Sequence, residues 1–494
     1  MKCKLVLGAG ALIWITGCTV GPKYHEPTVA TPAAWSSGAV AGTTTNALPS
    51  PPGWLAFNDP LLAGYLRQAV EANHDLRIGT ERIREARALR REAGGRDDLQ
   101  LAPNARFDNS GLSKNNERFG GAILRRGFVD RETDLFQLGF DASWEIDLFG
   151  ATRRTVEAAN ARLGAVIYDR DHIALAVLAE TARNYIELRG AQQRAAIVRT
   201  NISYLESTLR LVEERYTSGL GGELPVLQTK TLLDSTRAQL PTLEAAIRSG
   251  AHRLAVLLGK EPCALVAELE RAQAVPAIKD PVPVGLPSEL LRRRPDIQRA
   301  EREIAASTAD VGTTTAELFP RFYLTGSPSL QSSSFTTLFN SDSLAWTVGP
   351  AVEWKLLTGG RVRARIEAAK AREAAALVRY EKTVFTALEE VENALTQYGR
   401  EQQRLATLAQ ARRSSERAVE LARTSFTEGL SDFLVVLDAE RARNDVADQF
   451  IQSEVNVARQ LVALLKSLGG GWEELAPAAQ VSAATATASP TEKP

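Results

Sequence analysis

The feature that most limits what this chain can become is that it contains itself twice. A shift of 210 residues superposes Trp144 on Trp354, Gly150 on Gly360, Glu180 on Glu390 and Thr217 on Thr427. The same shift lays Gly219-Leu220 on Gly429-Leu430 and Leu258-Gly259 on Leu468-Gly469. Upstream, Leu101-Ala102-Pro103 meets Leu318-Phe319-Pro320 only at a shift of 217, so the first copy carries seven extra residues between Pro103 and Trp144, expected in a loop. The reading places a first repeat at 58–285 and a second at 286–472.

Within each copy the hydrophobic period changes from two to helical. Phe136, Leu138, Phe140, Ala142, Trp144, Ile146 and Leu148 alternate with polar positions that include Asp141, Glu145 and Asp147. Copy two repeats the pattern with Leu344, Trp346, Val348, Pro350, Val352, Trp354 and Leu356. Period two with one apolar and one polar face describes a strand between two media. Weaker strands follow Pro103 and Pro320, so each copy offers one hairpin and the chain four strands.

After Gly150 no proline occurs until Pro225, and none between Pro350 and Pro477. Leu188, Ala191, Ala195, Val198, Ile202, Leu205, Leu209, Val212 and Tyr216 fall at spacings of three and four, a coiled-coil seam. A helix from Ala151 to Thr217 would be ~100 Å long at 1.5 Å per residue. Gly219 and Gly429 supply the turn at its far end. The returning helix, Leu224 to Leu258, is about half as long and should kink at Pro241. A helical stretch from Leu61 to about Ala93 has the right size to stack end to end on it.

The start of the chain sets a compartment. Lys2 and Lys4 precede an apolar run from Leu5 to Ile15, too short to span a bilayer, which needs about 20 residues. The run ends at Ile15-Thr16-Gly17-Cys18, so 1–17 reads as a signal peptide, 18–57 as an extended N-terminal tether and 473–494 as a disordered tail. Cys263 is then the one thiol left after Cys3 and Cys18, read as structural filler in a short loop. With 59 basic and 59 acidic residues, no whole-chain charge calls for nucleic acid. Four scattered histidines (His25, His74, His172, His252) have no ligand spacing, and no nucleotide-binding or hydrolase motif occurs, so neither metal nor catalysis is expected.

Four strands with an apolar outer face cannot lie open in lipid, because every edge would hold unpaired backbone groups. Chains must therefore associate. Two would give eight strands and a filled interior; three would give twelve and leave a lumen for the polar inner face. The fold class is thus an α+β membrane protein built from a duplicated strand-hairpin and long-helix unit.

Cys18 to Tyr24 (CTVGPKY), followed by Pro27, resembles the mature start of the NodT-type branch of outer-membrane efflux lipoproteins, and Ile15–Cys18 the lipoprotein box. Leu291 to Ile297 (LRRRPDI) resembles a segment typical of the same branch, and the repeated unit is similar to the TolC/OprM superfamily over nearly the whole mature chain. The resemblance implies a homotrimer with a 12-stranded β-barrel continuous with a periplasmic α-helical barrel. It also implies the exit duct of a tripartite efflux pump, docked through a periplasmic adaptor to an inner-membrane transporter. Cys18 would carry diacylglycerol and an N-acyl chain, and Thr19 after it implies the outer membrane. No other cofactor is expected.

The resemblance also assigns sites. Tyr216, Gly219 and Leu220, with Phe426, Gly429 and Leu430, match adaptor-docking tips; Leu434, Asp438 and Arg441 match residues that constrict the periplasmic mouth. Gln228 stands at the position of Asp438 in copy one. Two alternatives stay open: an exit duct for secreted protein or polysaccharide, and a coiled-coil adaptor or structural lipoprotein.

Overall fold

A computed structural model of the chain describes residues 19–38, 40, 42–44, 53–113, 131–277, 281–471 and 475. The signal segment, Cys18, residues 114–130 and all of the expected tail except Leu475 lie outside the described residues. In chain order the elements are β1 (Thr43–Thr44), α1 (Pro60–Ala72), α2 (His74–Gly94), β2 (Gln100–Gly111), β3 (Glu132–Ile146), α3 (Ala151–Thr217), α4 (Glu223–Arg237) and α5 (Gln239–Leu257). The second copy adds β4 (Val282–Pro283), α6 (Pro295–Ala316), β5 (Arg321–Gly326), β6 (Ser329–Ser332), β7 (Leu344–Ala345), β8 (Val348–Glu353), α7 (Arg361–Thr427) and α8 (Phe433–Leu468).

Two compact units result, and neither is one of the repeats. The first combines Met1–Glu26, Glu85–Leu163 and Arg302–Val378; the second combines Pro27–Arg84, Gly164–Glu301 and Arg379–Pro494. Like segments of the two copies bury the same kind of face, so strands join strands and helices join helices.

In the first unit, β5 and β6 are one strand interrupted at Ser327–Pro328, and β7 and β8 another. The register proves this: Ile146 pairs Phe322, Gly139 pairs Ser329 and Phe136 pairs Ser332, with no slip across the gap. Phe140 N donates to Pro328 O at 3.0 Å and Ser327 N to Thr347 O at 2.8 Å, so the ladder continues through it. Four antiparallel strands therefore lie side by side, with β2 against β3 at one end and β8 against β5 at the other. The outermost strands hold Pro103 and Pro350, where a missing donor is tolerated.

Pairing aligns the side chains into two chemically distinct faces. Phe107 meets Phe136 with ring centroids 4.6 Å apart, and Leu138 pairs Leu330 as Trp144 pairs Leu324. The apolar face is largely bare: Ile146 is 38% exposed, Val348 63% and Trp346 70%. On the polar side Asp141 accepts from Asn104 Nδ2 at 2.5 Å and from Ser327 Oγ at 2.9 Å. An apolar face of this extent is unstable in water and stable in hydrocarbon.

Below the sheet the residues just after Cys18 are seated. Val20 N donates to Phe149 O, and the Arg154 guanidinium, 3% exposed, donates to the carbonyls of Val20 and Gly21. A Cβ on Gly21 would lie 2.5 Å from Gly312 Cα, so this crossing admits nothing larger.

The second unit holds the main apolar core, including Trp54, Leu62, Tyr65, Leu178, Ile186 and Leu254. Asp59 caps α1 through the amides of Leu61 and Leu62 and accepts from Tyr185 Oη at 2.8 Å. Burial pushes the Tyr185 hydroxyl pKa up to about 12. The described residues of the tether from Trp35 onward are docked on the second unit's core. Trp35 is buried and donates through Nε1 to Gly285 O, Glu392 accepts from the amides of Ser36 and Ser37, and β1 pairs in parallel with β4. Two tryptophans give a Pro- and Ser-rich segment enough apolar surface to bind.

Helix α3 begins and ends at the residues expected, and α7 has the same length of 67 residues. The expected Leu61–Ala93 helix is instead two helices. Asn73 (ψ 134°) leaves the helical region, caps α2 through Asp75 N at 2.9 Å and donates from Nδ2 to Leu257 O, so the first turn of α2 abuts the last turn of α5. The returning helix breaks between Arg237 and Gln239, because Pro241 has no N–H for the Arg237 carbonyl and its ring crowds it. Ile451 occupies the equivalent position in copy two, and α8 runs unbroken for 36 residues. Along the seam Leu188, Ala195, Val198, Leu205 and Val212 are buried, while Tyr216 at its end is exposed. Cys263 is exposed, so it fills no core.

Candidate functional site

The two helical tips close identically. At the first, Gly219 N donates to Tyr216 O at 3.0 Å and Leu220 N to Arg215 O at 2.8 Å; at the second, Gly429 N donates to Phe426 O and Leu430 N to Ser425 O at the same distances. This is the Schellman arrangement, which satisfies the last carbonyls of α3 and α7. Gly219 and Gly429 have φ of 74° and 75° with open space around them, so backbone conformation alone demands glycine there.

What the tips expose differs from what the duplication suggests. Leu220 and Leu430 are 72% and 76% exposed. Tyr216 is exposed as well, but its counterpart Phe426 turns inward. The Phe426 ring lies 5.4 Å from that of Phe433 and carries the Arg215 guanidinium at 4.8 Å, joining the tips of α3 and α7. Val212, Ala422, Phe433, Val436 and Leu437 complete this small core.

Helix α8 presents two opposite stripes just beyond the second tip. Phe433, Val436, Leu437 and Glu440 are buried. Leu434, Asp438 and Arg441, spaced four and three apart, are exposed in a line, and Arg441 Nη1 stands 3.7 Å from Asp438 Oδ1. An exposed i,i+3 pair of this kind is worth about 0.3 kcal/mol. In copy one Leu224 is likewise exposed, and Gln228 takes the place of the acid.

Residues that sequence reasoning passed over bind this region together. Glu440, 1% exposed, accepts from Arg423 Nη2 at 2.5 Å and Nε at 3.1 Å. Arg423 also lies 5.3 Å from the Tyr204 ring, and Arg443 lies 5.4 Å from it while donating to Asn201 Oδ1 at 3.0 Å. Helices α3, α7 and α8 are thus tied by one ionic and aromatic cluster. Burial and the nearby Arg423 charge hold the Arg443 pKa below its usual value. The signal was available: position 440 continues the 433, 436, 437 spacing of the buried stripe. The tips and the stripe leave apolar and charged groups exposed to solvent. Cys18 lies outside the described residues.

Comparison with known proteins is specific. The profile of the family described as "Outer membrane efflux protein" matches residues 65–260 and 286–470. Nodulation protein T of Rhizobium leguminosarum bv. trifolii is 31% identical over 466 residues, spanning 94% of this chain and 97% of that protein. The toluene efflux pump outer membrane protein TtgI of Pseudomonas putida is 30% identical over 470 residues, spanning 94% and 97%. Among solved structures the outer-membrane channel OprN superposes with a TM-score of 0.84 at 38% identity, over 92% of this chain and 100% of that one.

Proposed function

The chain belongs to the outer membrane efflux protein family and resides in the bacterial outer membrane, and from that premise we propose that it is the passive exit duct of a tripartite pump of the RND type, carrying small toxic solutes from the periplasm outward. The observation that carries this reading is the four-stranded sheet with one bare apolar face and one polar face. Its two outermost strands have no second neighbour among the described residues. In lipid such edges must be paired, and the copies that pair them close a barrel. Three copies supply twelve strands and an open lumen lined by groups such as Asp141. The paired helices would build the periplasmic tube, with Leu434, Asp438 and Arg441 at its mouth and the tips of α3 and α7 against an adaptor. Acyl chains on Cys18 would anchor the chain two residues before Val20, which is seated directly below the sheet.

Relatives named for solvent and toluene efflux support a small-solute cargo. The duct itself needs no chemistry, since the driving energy would enter at the inner-membrane transporter. A coiled-coil adaptor or structural lipoprotein has no use for the sheet. Full-length protein purified in detergent, cross-linked and reconstituted into planar bilayers tests the proposal. Trimeric cross-links and discrete current steps are expected; a monomer that carries no current would overturn it.

A further inference from the structure

The second unit contains a cavity of about 360 Å³ that the duct reading does not use. It opens among α3, α6, α7 and α8, at the height of the Arg294-Pro295-Asp296 turn. Its charges do not balance. Arg294 is 6% exposed and fully engaged: it donates to both Asp296 oxygens at 3.0 and 2.6 Å, to Ser467 O at 3.0 Å, and pairs with Glu390 at 2.7 Å. These contacts occupy both carboxylates of the lining with a single guanidinium. Arg299 is committed to Asp169 at 2.6 Å. Lys382 and Lys466 remain, both solvent-exposed at the rim of the cavity, and among the described residues neither ammonium has an ion-pair partner. The Thr386 hydroxyl on the same wall likewise makes no hydrogen bond among the described residues.

We propose that this cavity is a binding site for a small, doubly charged phosphate-type anion, held between the Lys382 and Lys466 ammonium groups with the Thr386 hydroxyl as a further donor. Two unpaired ammonium groups and a hydroxyl lining one concavity offer donors that a dianion can fill, and its charge offsets theirs. The volume lies at the lower end of ligand cavities, about 300–1,000 Å³, so it admits a phosphate with a small organic group and no polymer. His172 also lines the cavity; burial, with Arg299, Lys466 and Arg294 nearby, lowers its pKa against the opposing pull of Asp296. A neutral imidazole adds one N–H donor and no competing charge.

Calorimetric titration of the full-length protein in detergent tests the site, with inorganic phosphate and glycerol phosphate as probes at an ionic strength held constant with chloride. Saturable binding of one equivalent per chain is expected. Lys382→Gln and Lys466→Gln should each weaken it about tenfold or more, the size of a lost hydrogen bond to a charged group. Lys382→Arg should retain most of it. Phosphatidic acid in mixed micelles is the second arm: binding of that probe alone assigns the site to a lipid headgroup, and binding of the soluble probes assigns it to a free anion. Both outcomes support the site. No saturable binding of any probe, as when a carboxylate of a neighbouring copy fills the cavity, overturns it. So does equal affinity in a double Lys→Gln variant whose melting curve matches the parent.

Discussion

Glu440 is sealed beneath the Arg423 guanidinium at 2.5 Å on the buried side of α8, directly opposite the exposed Asp438. The equivalent positions in copy one are Lys230 and Glu213, the same two charges exchanged and both exposed. The two copies thus carry opposite charges at both positions, and among the described residues only in copy two do they form an ion pair, with its acid buried. Glu440→Gln should cost about 1–3 kcal/mol, because Arg423 loses its charged acceptor while staying half-buried. A lowered melting temperature, with more frequent openings in planar bilayers, is the expected result. An unchanged melting curve would show that Arg423 finds another partner.

Asp438 should behave in the opposite way. Its carboxylate is 64% exposed and its pairing with Arg441 is long, so Asp438→Ala should leave the stability within about 0.5 kcal/mol of the parent and the melting curve nearly unchanged. Single-channel conductance of the closed form should nonetheless rise, because three copies would lose a ring of acids at the narrowest point. Unaltered conductance removes Asp438 from the mouth.

The tips separate contact from support. Leu220→Asp with Leu430→Asp should abolish capture of the adaptor without changing thermal stability, since both side chains point into open solvent. Phe426→Ala should instead destabilise the tip by roughly 1–3 kcal/mol, because its ring packs on Phe433 and holds Arg215. If Phe426→Ala abolishes capture while leaving the melting curve intact, the ring faces the adaptor.

Acid should act through Asp296. The Arg294 guanidinium, two hydrogen bonds to it and the Ile297 amide hold this carboxyl below the usual aspartate range, although burial pulls the other way. A depressed carboxyl stabilises the folded chain above its unfolded pKa of about 3.9, and that contribution disappears as pH falls through the lower folded value. Asp296→Asn should therefore melt lower than the parent at pH 7, and the gap should close as pH falls below the unfolded value and through the lower folded one. A gap that persists in acid would assign the loss to packing.

Cys18→Ser should abolish incorporation of labelled palmitate. Persistent label would place the acyl chains elsewhere.

Much of this was legible because the long elements obey one period at a time. Strict alternation from Phe136, the change of period after Gly150 and the turn glycine Gly219 are local patterns, so the strand and both ends of α3 follow from them. The repeat then located α7 without separate argument. What escaped depends on partners distant in sequence. Asn73 followed by Asp75 is only a weak local start signal; what holds the break is the Leu257 carbonyl, 184 residues away, which accepts its side chain. The docking of Trp35 needs Gly285, and the cavity needs Lys382 and Lys466 brought beside Arg294. The four-strand count survived because the interruptions at Ser327–Pro328 and Trp346–Thr347 do not shift the register.

Pro241 and Ile451 make the two return arms mechanically unequal. An arm jointed at Ala238 can bow near its middle while its root stays fixed, so displacement at its tip need not travel further. The unjointed arm behaves as a lever: tilting its outer end, where Asp438 sits, must turn the far end beside Arg294 as well. Around a threefold axis the two kinds would alternate, giving three compliant blades and three stiff ones, and only the stiff set would convey movement along its whole length.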